Sequence, residues 1–272
     1  MNASVAVLVF PGTNSEDETL RALRAVHLDA ELVHWSMPKA LARFDAFVLP
    51  GGFAYEDRIR AGAVSAHDAL MEPVIEGAHA GKFVLGICNG AQILAEAGLV
   101  PGTGPLRRPT AAFAPNESGR FQSVHVHVRL NVPPARIPIL AGIEPEAVIP
   151  AWASHGDGRF VAPQDELDRL DRAGHIAFVY SDRDGAQLGT PNGAALDCAA
   201  LVNREGNVLA VMPHPERDAW TFQHLDASRD AARGDTQATL APSGGGIRFF
   251  EHFARAVRGR LTPDSGGVTV RQ

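Results

Sequence analysis

Short apolar runs that end in proline or glycine constrain the fold of this chain more than any other feature. Residues 5–10 are all apolar and end at a Pro-Gly pair, residues 46–49 run into Pro-Gly-Gly, and residues 208–212 stop at Pro213. Runs without polar alternation predict strands that are buried on both faces. Because helical patterns lie between these runs, we expect an α/β protein with a doubly wound, mostly parallel sheet flanked by helices.

The same reasoning assigns the remaining elements. Further buried strands are predicted at residues 30–33 and 82–87, and helices at residues 90–97 and 249–257, with a first helix capped by Asn14 or Ser15. Residues 121–130 alternate polar and apolar side chains, as does much of 176–180. Such alternation predicts antiparallel strands, which we expect to be added beside the parallel sheet.

Length and composition favour one folded domain. The chain has 272 residues, of which 45% are hydrophobic and 21% charged, a mixture that can bury a sizeable core. We therefore assign residues 1–260 to a single domain. Within it, residues 218–246 are predicted to include a mobile insertion because much of this segment lacks periodicity. Residues 261–272 are predicted to form a flexible tail.

Charge and cysteine content exclude several classes of function. The net charge is −6, and Lys and Arg form no basic stripe, so neither nucleic acid nor membrane is an expected partner. Two cysteines are too few for a disulfide framework or a zinc cluster. Since the first residues also lack the pattern of a signal peptide, we expect a cytoplasmic protein without a bound metal.

The segment around Cys88 carries the strongest chemical signal. Gly86, Cys88 and Gly90 form a G-x-C-x-G pattern between a predicted strand and a predicted helix, which is a nucleophile elbow with cysteine in place of serine. The tight turn exposes the sulfur at the sheet edge, and the helix N-terminus favours the thiolate and offers N–H donors to an oxyanion. We interpret Cys88 as a nucleophile and assign Cys198, in an apolar segment, to the core.

A cysteine nucleophile needs a base, and the base needs an acceptor that orients it. His214-Pro-Glu216 supplies both directly after the strand predicted at residues 208–212. The proline between them restricts the backbone and holds the imidazole and the carboxylate in a defined relation. We therefore predict that Glu216 accepts a hydrogen bond from one ring nitrogen of His214, leaving the other to face the thiol.

Two other groups of histidines have alternative interpretations. His125 and His127 share one strand face with metal-ligand spacing, but no third ligand is evident, so a solvated strand face is favoured. Ser154-His-Gly-Asp157 superficially resembles a serine triad, although residues contiguous in sequence rarely converge in that way. Its glycines predict a loop, and we expect His155 to border the site.

Eight segments, in order along nearly the whole chain, resemble the class I (triad) glutamine amidotransferases, and among these the glutaminase subunits of phosphoribosylformylglycinamidine synthase. The segments are Phe10-Pro-Gly-Thr-Asn14, Pro50-Gly-Gly-Phe-Ala-Tyr55, Arg60-Ala-Gly62, Leu85-Gly-Ile-Cys-Asn-Gly-Ala-Gln-Ile-Leu94, His155-Gly-Asp-Gly158, Pro191-Asn-Gly193, Asn203-Arg-Glu-Gly-Asn207 and Met212-Pro-His-Pro-Glu-Arg217. The elbow and His-Pro-Glu mark the superfamily. The resemblance implies a flavodoxin-like fold, with residues 1–260 forming one type 1 glutamine amidotransferase domain.

The resemblance also implies a role for each site residue. Cys88 is expected to attack the side-chain amide of L-glutamine, with His214 transferring the proton and Glu216 orienting His214. The expected oxyanion and glutamine-binding residues are Gly51, Gly52, Asn89 and Gln92. The resemblance implies that the amide of Asn89, with one of the two glycines, stabilises the oxyanion. It also implies that Gln92 lies against the bound glutamine.

A partner is implied as well. The ammonia is expected to pass to a separate synthetase subunit, accompanied by a small accessory subunit. The synthetase uses ATP and Mg²⁺ to convert formylglycinamide ribonucleotide to the amidine in de novo purine biosynthesis. This chain has no G-x-x-x-x-G-K-[ST] loop, so we expect no cofactor in it.

Three alternatives remain open from the sequence. In the first, the chain is a glutaminase that serves a cytidine- or guanine-nucleotide synthetase. In the second, it is related to the small cysteine hydrolases and chaperones of the same topology. In the third, it is a degenerate subunit that only regulates its partner. Departures from the family pattern at Ala54, Glu56 and Ala91 touch no member of the predicted triad. The intact Cys88 and His-Pro-Glu argue against the last two alternatives.

Overall fold

The computed structural model describes residues 3–223 and 245–261 of the chain. The predicted tail therefore lies outside the described residues, apart from Leu261 at the end of the last helix. The insertion predicted at 218–246 also lies mostly outside them. Its first residues are folded, because Pro215–Asp218 and Thr221–Gln223 form short 3-10 turns. For residues 224–244 the insertion stays a prediction.

A nine-stranded mixed sheet forms the centre of the described structure. In chain order the strands are β1 (Ser4–Val9), β2 (Asp29–His34), β3 (Ala46–Leu49), β4 (Phe83–Ile87), β5 (Ala112–Ala114), β6 (Gln122–Leu130), β7 (Val148–His155), β8 (Arg159–Val161), β9 (Ile176–Ser181), β10 (Cys198–Val202) and β11 (Val208–Val211). Across the sheet they follow the order β2-β1-β3-β4-β11-β10-β9-β6-β7, and β5 pairs with β8 in a separate ribbon.

The sheet has a parallel half and an antiparallel half. The pairs β2–β1, β1–β3, β3–β4 and β4–β11 are parallel. From β11 outward to β7 every pairing is antiparallel. The predicted α/β class with added antiparallel strands is confirmed, although these strands account for as many pairings as the parallel ones. Because β4 and β11 are adjacent and parallel, their carboxyl ends meet at one edge, and this sets the place of the site.

Helices cover the sheet. They are α1 (Glu16–Ala25), α2 (Met71–His79), α3 (Asn89–Glu96), α4 (Gln164–Arg172) and α5 (Ile247–Leu261). Of these, α1, α3 and α5 confirm the predicted helices. None of the helices in residues 3–223 and 245–261 is long and apolar enough to cross a membrane.

The predicted cap of α1 is wrong in its chemistry. Ser15 is the residue before the helix, but its side chain makes no capping hydrogen bond. Its hydroxyl instead contacts Asn14 Oδ1 at 3.4 Å and accepts a hydrogen bond from Arg217 Nη2 at 2.9 Å. The start of α1 is therefore tied to the segment that follows β11.

The sequence pattern did not predict β7 as a separate strand, because proline is frequent around it. It contains Pro150, and alternate residues along it are buried. A proline is tolerated there because β7 is the last strand of the sheet and pairs in the ladder with β6 alone. The helix α4 was missed for a different reason, since Leu167 and Leu170 are its only apolar residues and both are buried.

Two glycines allow α3 to pack directly against the strands. A Cβ on Gly90 would lie 1.9 Å from the carbonyl oxygen of Leu49 in β3. A Cβ on Gly86 would lie 2.6 Å from the carbonyl oxygen of Gly90. Since no real side chain approaches so closely, the glycines of the G-x-C-x-G pattern are required by the backbone contact itself.

We expect Gly90→Ala to destabilise the protein by about 3 kcal/mol, because the added methyl group meets a backbone oxygen that cannot move away. Gly259→Ala is the matched control, since a Cβ there meets nothing within 4 Å in the helix α5. That change should be neutral or stabilise by about 0.5 kcal/mol. Urea unfolding of both variants measures the difference, and equal stabilities would contradict the close-approach argument.

Candidate active site

Cys88 occupies a strained turn between β4 and α3. Its backbone has φ 51° and ψ −106°, a conformation that residues other than glycine rarely adopt. The N–H of Cys88 donates to the carbonyl of Val211 in β11 at 2.8 Å. The turn is therefore held between the two central parallel strands, and the thiol stands at their carboxyl edge, where doubly wound folds bind ligands.

His214 and Glu216 lie at the same edge, three and five residues after β11. The Nδ1 atom of His214 is 2.5 Å from Oε1 of Glu216, and the two side chains are 1% and 0% exposed. The backbone of His214 exchanges two hydrogen bonds with Trp152 of β7, at 2.8 and 3.2 Å. The contact between imidazole and carboxylate that the sequence predicts is present in the structure.

Gly51 brings the imidazole beside the cysteine. A Cβ on Gly51 would lie 2.5 Å from Cε1 of His214 and 3.4 Å from Cβ of Cys88. The Nε2 atom of His214 is buried and has no hydrogen-bond partner among the described residues. With Nδ1 engaged by Glu216, this nitrogen is the one available for proton transfer at the thiol.

The charges around His214 favour its protonated form. Burial on its own lowers the pKa of His214, but the negative charges of Glu216 and of the Cys88 thiolate outweigh it and raise the pKa to about 9. The imidazolium of His214 thus lies between the carboxylate of Glu216 and the sulfur of Cys88. An imidazolium beside a thiol favours the thiolate, which is the form that attacks carbonyl carbon.

A cavity of about 390 Å³ opens over Cys88. Its lining combines the cysteine and histidine with polar groups and two exposed aromatic side chains: Asn14, Gly52, Phe53, Asp57, Cys88, Gln92, Phe121, Ser154, His155, Gly156, Asp157, His214 and Arg217. The volume suits a small polar molecule. The arrangement can therefore hold such a molecule with its carbonyl carbon beside the sulfur.

The four residues predicted to bind the oxyanion or glutamine differ in their position relative to the cavity. Gly52 and Gln92 line the cavity. Gly51 packs beneath His214. The Asn89 side chain is buried, donating from Nδ2 to Gln92 Oε1 at 2.8 Å and accepting at Oδ1 from the N–H of Ala54 at 3.0 Å. The structure brings all four close to Cys88, and their roles in binding stay predictions.

Asp57 was not predicted from the sequence, and His155 was expected in a loop. Asp57 lines the cavity and accepts a hydrogen bond from Asn89 Nδ2 at 3.0 Å, while burial raises the pKa of its carboxyl group. Its position two residues after the Gly-Gly-Phe-Ala-Tyr segment is the signal that could have identified it. His155 is the last residue of β7 and, as expected, borders the site.

His125, His127 and Cys198 lie outside the site. His125 Nε2 is 2.7 Å from Asp218 Oδ2, and its side chain is only 13% exposed, so the interpretation of a solvated strand face is wrong for His125. Among the described residues no group of three or more metal-binding side chains converges. Cys198 is fully buried in β10, and burial raises the pKa of its thiol, as suits a core residue.

Comparison with known proteins assigns these features to a family. The CobB/CobQ-like glutamine amidotransferase domain matches residues 2–252. Subunit PurQ of phosphoribosylformylglycinamidine synthase from Symbiobacterium thermophilum is 44% identical over 78% of this chain and 86% of its own length. Subunit PurQ from Aquifex aeolicus is 40% identical over 78% of this chain and 89% of its own length.

Two solved structures have a similar fold. The structure of PurLQS from Thermotoga maritima matches with a TM-score of 0.71 and 26% identity, covering 96% of this chain and 100% of that chain. The glutaminase domain of Trypanosoma brucei CTPS with bound acivicin matches with a TM-score of 0.54 and 15% identity, covering 95% and 94%. At 15% identity the second similarity shows the fold alone.

We expect Glu216→Gln to shift the alkylation of Cys88 by iodoacetamide toward higher pH, by about one unit or more. The raised pKa of His214 keeps the imidazolium present below about pH 9. Without the carboxylate charge, burial lowers that pKa, so the imidazolium that stabilises the thiolate is lost at lower pH.

The rate of carbamidomethylation of Cys88 against pH, followed by mass spectrometry, measures this shift. The buried Cys198 is the internal control and should stay unlabelled in both proteins. Identical pH profiles for the parent protein and Glu216→Gln would show that Glu216 does not set the charge of His214.

Proposed function

The chain belongs to the CobB/CobQ-like glutamine amidotransferase family, and from that premise we propose that it is the glutaminase subunit of phosphoribosylformylglycinamidine synthase. It hydrolyses L-glutamine to glutamate and ammonia. The ammonia serves the ATP-dependent conversion of formylglycinamide ribonucleotide to formylglycinamidine ribonucleotide in de novo purine biosynthesis. The observation that carries the proposal is the buried arrangement of Cys88, His214 and Glu216 in a chain that is 44% identical to a PurQ subunit.

The first half of the reaction forms a thioester. The Cys88 thiolate attacks the carboxamide carbon of glutamine, and the resulting oxyanion is stabilised by the backbone amide of Asn89 with that of Gly51 or Gly52. The imidazolium of His214 donates its Nε2 proton to the amide nitrogen. The carbon–nitrogen bond then breaks, and ammonia leaves the γ-glutamyl thioester.

The second half regenerates the enzyme. His214, now neutral, accepts a proton from a water molecule that attacks the thioester carbon, and the carbon–sulfur bond breaks to release glutamate. Glu216 holds the imidazole through Nδ1 during both transfers. Its full burial keeps this hydrogen bond free of competing water, so the ring stays oriented toward Cys88.

Glutamine is held in the cavity above Cys88. Gln92 lies against the bound amino acid, since its side chain lines the cavity and is itself anchored by a 2.5 Å hydrogen bond from Nε2 to the carbonyl of Asp157. That anchor fixes the Gln92 amide between the elbow and the segment after β7. The floor of the binding site is thereby made from two different parts of the chain.

The partner is the synthetase subunit, with a small accessory subunit in the same complex. This assignment is supported by the match to the structure of PurLQS, which covers 96% of this chain. The synthetase uses ATP and Mg²⁺, and this chain works without a cofactor of its own. A cytoplasmic location is supported by the two cysteines, which are both free thiols, and by a mechanism that requires reduced Cys88.

In the complex with its synthetase, Cys88→Ala should lower glutamine-dependent amidination by at least about 1000-fold, because the nucleophile is gone. Amidination with added ammonium salt should persist, since the synthetase does not need the thiol when ammonia is supplied. Product formation with each nitrogen source, measured at saturating ATP, tests both expectations.

Cys198→Ala is the control that removes the other thiol. Cys198 is buried in β10 away from the cavity, so this variant should keep both activities. Unchanged glutamine-dependent synthesis by Cys88→Ala would contradict the mechanism. Activity on a pyrimidine or guanine nucleotide precursor, with none on formylglycinamide ribonucleotide, would contradict the assigned acceptor.

A further inference from the structure

Hydrogen bonds to its neighbours fix the orientation of one buried side-chain amide beside the cavity. Asn116 is 3% exposed, and its Nδ2 lies 2.9 Å from the carbonyl oxygen of Arg120 and 2.8 Å from that of His155. Its Oδ1 accepts a hydrogen bond from the N–H of Gly158 at 3.1 Å. Two carbonyls on one side and an N–H on the other fix which end of the amide is oxygen.

This orientation determines the tautomer of His155. The Nδ1 atom of His155 lies 3.1 Å from Oδ1 of Asn116, and a carbonyl oxygen can only accept, so Nδ1 carries the proton. Burial and the neighbouring charge of His214 lower the pKa of His155 to about 4, so the ring is neutral near pH 7. Its Nε2 atom therefore presents a lone pair and acts as a hydrogen-bond acceptor.

That acceptor has no donor within the described part of the chain. His155 is 3% exposed and lines the cavity, and its Nε2 is buried without a hydrogen-bond partner. Among the buried imidazole nitrogens of the described residues, Nε2 of His214 is the other one without a hydrogen-bond partner, and His214 lines the same cavity. A buried, unsatisfied acceptor is costly, and a ligand that brings an N–H would remove that cost.

His155 lies at the end of the cavity that contains Cys88 and His214. The carbonyl oxygen of Ser154, the residue before it in β7, is 3.7 Å from the sulfur of Cys88. The positive charge of His214 is close enough to lower the pKa of His155. The part of glutamine held next to Cys88 and His214 is its carboxamide, and the carboxamide nitrogen carries two N–H donors.

We propose that His155 is a catalytic residue whose Nε2 accepts a hydrogen bond from the carboxamide nitrogen of glutamine and holds that nitrogen while its bond to carbon breaks. The inference rests on the proposed glutaminase function. The sulfur–carbon bond forms and the carbon–nitrogen bond breaks, with the third proton of ammonia supplied by His214. His155 gains and loses no proton, and its acceptor selects a nitrogen leaving group over an oxygen one.

The test compares two substrates that give the same thioester. L-glutamine offers N–H donors on its leaving group, whereas L-glutamate γ-methyl ester offers none. In the complex with the synthetase, His155→Leu should lower kcat/KM for glutamine by about tenfold or more while changing that for the ester less than about twofold. Because kcat/KM covers only the steps through thioester formation, the shared hydrolysis of the thioester does not enter.

His175→Leu is the matched control. This second buried histidine contacts the carbonyl of Val202 through Nδ1 at 2.8 Å and lies outside the cavity, so its loss should affect both substrates equally. Ester turnover by His155→Leu also shows that the variant is folded with a working Cys88. Equal losses on amide and ester, or an unchanged rate with glutamine, would overturn the role of His155. An inactive parent complex would instead overturn the proposed function.

Discussion

The site depends on one strained backbone turn, which close packing and a hydrogen bond to a neighbouring strand hold in place. Cys88 adopts a positive φ that costs about 1–3 kcal/mol for a residue with a side chain. Its N–H bonds to β11, and the glycines on either side let α3 lie against β3 and β4 without a gap. The parallel half of the sheet therefore supplies the stability that keeps the sulfur at its edge. With the turn relaxed, the thiol would leave both the helix N-terminus and the imidazole.

Burial would penalise the charges of this site if they stood alone. Glu216 is fully buried, and its Oε2 has no hydrogen-bond partner among the described residues. The imidazolium of His214 compensates this buried carboxylate, and the pKa of His214 is in turn raised by the negative charges of Glu216 and Cys88. Stability and reactivity are thus linked, because the alternating charges that make burial tolerable are those that activate the nucleophile.

The features that depend on local sequence pattern were predicted from the sequence, whereas those that depend on tertiary contacts were missed. Cys88, His214 and Glu216 were placed correctly at one edge because glycine spacing and strand ends are readable from local sequence. The lining residue Asp57 was missed, because the loop that turns it toward Asn89 forms only in the folded chain. The same holds for the tautomer of His155, since it is determined by Asn116, a residue 39 positions away along the chain.

The edge strand β7 has a consequence for how the site moves. It supplies His155, a carbonyl 3.7 Å from the sulfur and the backbone contact of Trp152 with His214, yet it lies at one edge of the sheet. Edge strands open locally at a lower free-energy cost than central strands. Cys88 is thus anchored by central strands, whereas the backbone of His214, which transfers the proton, is held partly by an edge strand. Hydrogen exchange at the amides of Trp152 and His214 consequently reports how often the site is assembled.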